Sequence, residues 1–168
     1  MFAIVKNNQF VNFLPENTPF KLDGNQYPAN WCNLSTPEEK AAIGMVDVVY
    51  GQYPNDQYYW VSQDAPVYLE GVVTVNYTAT PKDLLECQNQ AATAVQAQAY
   101  SILLPTDWMV VKAVETGGTV APAWNTWRQE IRTQANAQVD AISACTTVDE
   151  LAALPSVEWA HDPNYVAV

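Results

Sequence analysis

Apolar and polar positions follow two different rhythms along the chain, and the change comes near residue 80. In the first half the apolar runs are short and separated by turn residues. Residues 2–5 and 10–13 flank Asn7-Asn8 and predict a hairpin. The segment PFKLDGNQYPANW sets Asp23-Gly24 between two short apolar segments, a second turn signal. In STPEEKAAIG, Thr36 is placed to cap a helix of one or two turns. Pro37 stands first in it, Glu39 closes a capping box, and Gly44 ends it. Residues 45–50 and 58–61 predict strands separated by GQYPNDQ. VVTVNYT alternates Val73, Val75 and Tyr77 with Thr74, Asn76 and Thr78, which predicts one half-buried strand with a wet face. The expected product is a small antiparallel sheet with a helical turn inserted.

Helical spacing takes over afterwards. A long helix is expected over residues 81–104, with Asp83 in its first turn. Its wheel gathers Leu84, Ala91, Val95, Ala99 and Ile102, with Gln88 and Gln98 on the same side. This narrow seam of small residues suits close approach of another helix, either from the same chain in antiparallel packing or from a second copy. Pro105 breaks the helix, and Thr106 is placed to cap a short one bearing Trp108, Val111 and Val114. Gly117-Gly118 ends that helix, and Pro122 opens a further one over residues 122–143. Trp124, Trp127 and Ile131 share a face there, continued by Ala135, Val139 and Ile142. Two aromatic faces joined by a double-glycine turn predict a helical corner with its own core, Trp108 and Trp127 both inside it. Thr147 and Glu150 make another capping box before LAAL, and the Pro-containing tail has no period.

Composition moves in step with the pattern. Residues 1–80 hold 13 of the 19 aromatics and 6 alanines, whereas residues 81–168 hold 16 alanines, so strand propensity gives way to helix propensity. The expected fold class is α+β: a β-rich domain at 1–80, a helical domain at 81–154 with two long helices packed as a hairpin, and a loop-like tail at 155–168.

The formal net charge of −11 argues against a nucleic-acid partner and an anionic membrane surface, because little here neutralises phosphates. Cys32, Cys87 and Cys145 are odd in number, far apart and without a CxxC, so neither a disulfide framework nor a zinc site is expected. MFAIVKNNQF lacks the charged start and apolar core of a signal peptide. No run approaches the roughly 18 apolar residues of a membrane span. A cytoplasmic protein is the expectation. His161 lies in the Pro-flanked tail, and there is no GxSxG elbow or glycine-rich phosphate loop. The acidic pairs Glu38/Glu39 and Asp149/Glu150 read as helix starts, so neither catalysis nor a cofactor is expected.

Two aromatic groups stand out as candidate partner-binding residues. Tyr58, Tyr59 and Trp60 form a run in which, on a strand, Tyr59 faces away from the other two. The bland reading packs Trp60 in the sheet and leaves Tyr59 solvated; the functional one makes an aromatic contact surface for a protein or a sugar. Trp124 and Arg128 lie about 40° apart on a helical wheel. Arg128 is therefore placed to stack on an indole or to pair with Glu115, within the fold or across an interface.

The segments LDGNQYPANW, STPEEKAAIGM, YYWVSQ, GVVTVNYTATPKDL, LLPTDWMVVKAVETGGTVAPAWNTWRQEIR and TTVDELAAL together resemble the tail fibre assembly proteins, or fibre chaperones, of tailed bacteriophages. They resemble most the branch found in cyanophages and marine phages. The likeness spans nearly the whole chain. Its most specific part is TDWMVVKAVETG followed by W-x-x-W-R, here Trp124, Trp127 and Arg128. The resemblance implies a non-enzymatic protein that helps a trimeric tail fibre fold or assemble in the host cytoplasm, with no catalytic residues and no cofactor. Some members stay on the finished fibre. The alternatives are a permanent virion component, such as a fibre adaptor or cap, and a receptor- or glycan-binding module.

Overall fold

A computed structural model describes residues 1–164, and the last four residues of the tail lie outside this description. The chain is α+β and divides into two units, Met1–Thr80 and a second from Pro81 onward.

The first unit begins with the hairpin of β1 (Phe2–Lys6) and β2 (Gln9–Leu14). Asn7 and Asn8 both take positive φ, the left-handed pair that a two-residue hairpin turn requires. A smaller hairpin, β3 (Phe20–Leu22) and β4 (Asn25–Tyr27), turns at Asp23-Gly24 in the same way. Two short helices follow, α1 (Trp31–Leu34) and α2 (Pro37–Ala42). In the second, Thr36 and Glu39 make the reciprocal capping box. Gly44 then reverses the chain with a φ of +72°. A Cβ there would stand 2.3 Å from the Val5 carbonyl oxygen, so only glycine fits between the helix and β1.

From Gly44 the chain enters β5 (Met45–Tyr50), then β6 (Tyr59–Gln63), β7 (Val67–Leu69), β8 (Val72–Val75) and β9 (Tyr77–Pro81). Five strands form one sheet in the order β2-β1-β5-β8-β7, while β6 and β9 pair as a separate ribbon. The sheet is mixed, because β5 and β8 run parallel. That departs from the antiparallel sheet expected from the sequence, since a parallel pairing is non-local and leaves no turn signature. The expected strand through VVTVNYT also divides, at Asn76. The Gly51 N–H bonds the Val75 carbonyl and a Cβ on Gly51 would meet the Asn76 side chain, so the chain is gripped there and changes sheets. Edge strands β2 and β7 approach within 8 Å, so the five strands curl. One face buries Ala3, Val73 and Val75. Ile4, Leu14 and Met45 lie against Cys32, with Phe20 and Trp31 around them.

In the second unit α3 (Leu84–Leu103) and α5 (Pro122–Ala144) form the hairpin. Asp83 is the N-cap of α3, accepting from the Glu86 N–H, and not a first-turn residue; residues through Pro81 belong to β9. The packing is antiparallel. Ala99, near the end of α3, clusters with Trp127, Ile131 and Ala135, whereas Gln88, near its start, reaches the end of α5. Gln88 donates to the Ile142 carbonyl at 2.9 Å and the Cys145 carbonyl at 3.0 Å, satisfying acceptors that a helix end leaves open. Gln98, expected on that side, is exposed, and Cys87 takes a buried place on the seam.

A single 3-10 turn, Leu104–Thr106, leads into α4 (Asp107–Thr116), and α6 (Val148–Ala153) opens with the capping box of Thr147 and Glu150. The described part of the tail is irregular but fixed. Gln134 exchanges bonds with the backbone of Glu158 and Ala160, and Gln138 holds the Pro155 carbonyl.

Candidate functional site

The Trp124-Arg128 region is a built corner. Leu103 ends α3 with an open carbonyl, which accepts from the Thr106 hydroxyl at 2.7 Å and from Arg128 Nη1 at 3.0 Å. The same guanidinium also bonds the Thr106 hydroxyl oxygen, and its Nη2 reaches Asp107 Oδ1 at 2.6 Å. Arg128 is thus buried and spent on its own chain, at the joint between α3 and α4. Its partner is Asp107 and not the expected Glu115, because eight residues of helix separate the two acids by about 12 Å. A buried Arg128 offers no contact surface of its own; it fixes the start of α4.

The indoles beside it divide by environment. Trp127 is buried, donates Nε1–H to the Ala160 carbonyl at 2.9 Å, and meets Trp124 edge to face at 5.5 Å. Trp159 of the tail packs on the same cluster. Trp108, expected in this core, is 57% exposed, and no residue of α4 is buried. The reason lies in what packs around Trp127 and Ile131: α3 and the tail fill that cluster, and α4 reaches only Trp124, across a hollow. Trp108, Val111 and Val114 therefore stand outside at three-residue spacing. Tyr100 and Leu104, at the end of α3, are exposed as well. Gly117, in the left-handed conformation, ends α4, with the Gly118 N–H closing on the Ala113 carbonyl.

Trp124 is a shared wall between two hollows. One, of about 290 Å³, lies against Trp108, Lys112 and Val120. The other, of about 660 Å³, is bounded by Pro105, Trp127, Trp159 and Asp162. Lys112 stands 5.9 Å from the Trp108 ring centre, close enough for a cation–π contact. Sequence reasoning missed Trp159, because an aperiodic tail carries no signal that it folds back.

The Tyr58-Tyr59-Trp60 group belongs to the sheet unit. Its orientation is opposite to the bland expectation: Tyr59 and Val61 on β6 are half-buried and Trp60 is 68% exposed. Successive side chains of a strand point to opposite faces, so Tyr59 and Val61 share the covered face and Trp60 takes the open one. Tyr58, just before the strand, is half-buried.

Among the described residues, no cluster of His, Cys, Asp or Glu is arranged to hold a metal ion, and no helix is long and apolar enough to cross a membrane. Among the described residues, three carboxylates titrate below their usual range. Glu16 does so beside the N-terminal amine, Glu38 through hydrogen bonds from its own backbone N–H and from Thr36, and Glu150 through hydrogen bonds from Thr146 and Thr147. Glu38 and Glu150 stand at helix starts, where these bonds serve folding. Compared with known proteins, the chain matches no family model, no curated protein and no solved structure.

Proposed function

We propose that this chain is a non-enzymatic assembly factor for a phage tail fibre, acting as a chaperone or fibre-bound accessory. One observation carries the reading beyond the sequence resemblance: α4 holds Trp108, Val111 and Val114 in solvent on a strongly acidic protein. Contiguous exposed apolar surface of this kind marks an interaction site. The two most specific parts of the resemblance, TDW and W-x-x-W-R, meet in the bonds among Thr106, Asp107 and Arg128. Those bonds set the helix that carries the exposed face.

The physical task fits. A trimeric fibre built from intertwined strands forms non-local contacts slowly and exposes unpaired edges meanwhile. A protein with accessible aromatic surface shields such intermediates by binding alone, without nucleotide or cofactor.

Coexpression tests this. The cognate fibre produced alone is expected in the insoluble fraction, and coexpression with this chain is expected to yield soluble trimers. Soluble fibre trimers formed equally well without the chain would rule out the chaperone role. Presence of the chain on purified particles at fibre stoichiometry would make it a permanent virion component.

A further inference from the structure

We infer that the fibre is received by the strip of indoles Trp108–Trp124–Trp159. The occupant is a fibre segment that sets an apolar side chain into each hollow beside Trp124, with an acidic residue toward Lys112 and a basic residue toward Asp162. This inference rests on the proposed role in fibre assembly and assigns it a surface.

Three features of the helical unit support the placement. The hollows share Trp124 as a wall, which makes them neighbours. Their walls are aromatic and aliphatic, the composition in which a few buried anchors dominate binding. The charged residues lining them differ in sign from end to end: Lys112 borders the smaller hollow and Asp162 the larger. A bound segment therefore has a preferred direction.

Charge also decides against a second copy as occupant. The chain carries 18 acidic residues against 7 lysines and arginines, and Arg128 is already buried in the corner. At a formal net charge of −11 two copies of this chain repel one another, which disfavours a second copy on the strip.

The test uses the full chain coexpressed with its cognate fibre, followed by affinity measurement on the purified complex. Trp108→Ala and Asp162→Lys change exposed side chains, so an unaltered melting curve is the control for folding. Each is expected to weaken fibre binding by about tenfold or more, as truncating or reversing an anchor does. Trp60→Ala, in the sheet unit, is expected to bind as the wild type does. Wild-type binding by both Trp108→Ala and Asp162→Lys would overturn the assignment and leave the fibre role standing. Failure of the wild-type chain itself to bind the fibre would overturn both. A wild-type homodimer that Trp108→Ala dissociates would give the strip to a second copy and also overturn the assignment.

Discussion

Arg128 and Asp107 form an ion pair at 2.6 Å in which the cation is almost wholly buried and the carboxylate is half exposed. The asymmetry sets the cost of removing each partner. Arg128→Ala leaves a solvated carboxylate but opens a hole and strips the Leu103 carbonyl and the Thr106 hydroxyl of a donor. The expected loss is about 2–4 kcal/mol in urea unfolding. Asp107→Asn keeps an acceptor beside the guanidinium, and about 1–2 kcal/mol is expected.

The two tryptophans that the sequence placed in one core should separate sharply in a stability measurement. Trp127→Ala removes a buried indole and its bond to Ala160, and about 3–5 kcal/mol is expected. Trp108→Ala removes an exposed one, and the expected change is within about 0.5 kcal/mol. Equal losses would mean that α4 packs inward in solution.

Gln88 joins the first turns of α3 to the last turn of α5 through two backbone carbonyls. Gln88→Ala removes a donor from both carbonyls, leaving Ile142 only the Cys145 N–H, and about 1 kcal/mol of destabilisation is expected. Hydrogen exchange would show the loss as faster opening of amides near residues 142–145.

Gly44 is the position where a methyl group does most harm. Its positive φ and the Val5 carbonyl oxygen, 2.3 Å from where a Cβ would stand, act together, so Gly44→Ala is expected to cost more than about 2 kcal/mol. Gly24 has a similar φ but open space, and Gly24→Ala should cost only about 1 kcal/mol.

Glu150 gives stability a dependence on acid. Its carboxyl titrates below the usual 4.5 because Thr146 and Thr147 donate to the charged form. A lowered folded-state value contributes stability that is complete above 4.5 and fades as pH falls through the folded value. Urea midpoints of the wild type should therefore decline below that pH, and Glu150→Gln should decline less steeply.

What was legible in the sequence was local. Asn7-Asn8, Asp23-Gly24, Thr36 with Glu39 and Thr147 with Glu150 each carry their geometry within four residues, and each forms as expected. The helical hairpin was legible because the seam of α3 repeats at helical spacing. The parallel register of β5 and β8 and the break at Asn76 depend on segments some 25 residues apart, which no local rhythm encodes. Exposure was the other gap. Trp108 and Trp127 carry the same side chain at the same kind of spacing; only the occupancy of α5 by α3 and the tail decides which one is buried.

That division has a consequence for how the protein can change. The outer side chains of α4 bear little of the weight of folding, whereas the joint at its base bears a great deal. Substitutions along Trp108, Val111 and Val114 are thus nearly free of stability cost. The scaffold beneath stays the same. A helix held at its base and exposed along its outer face accepts another set of residues on that face while the fold beneath it stands unchanged.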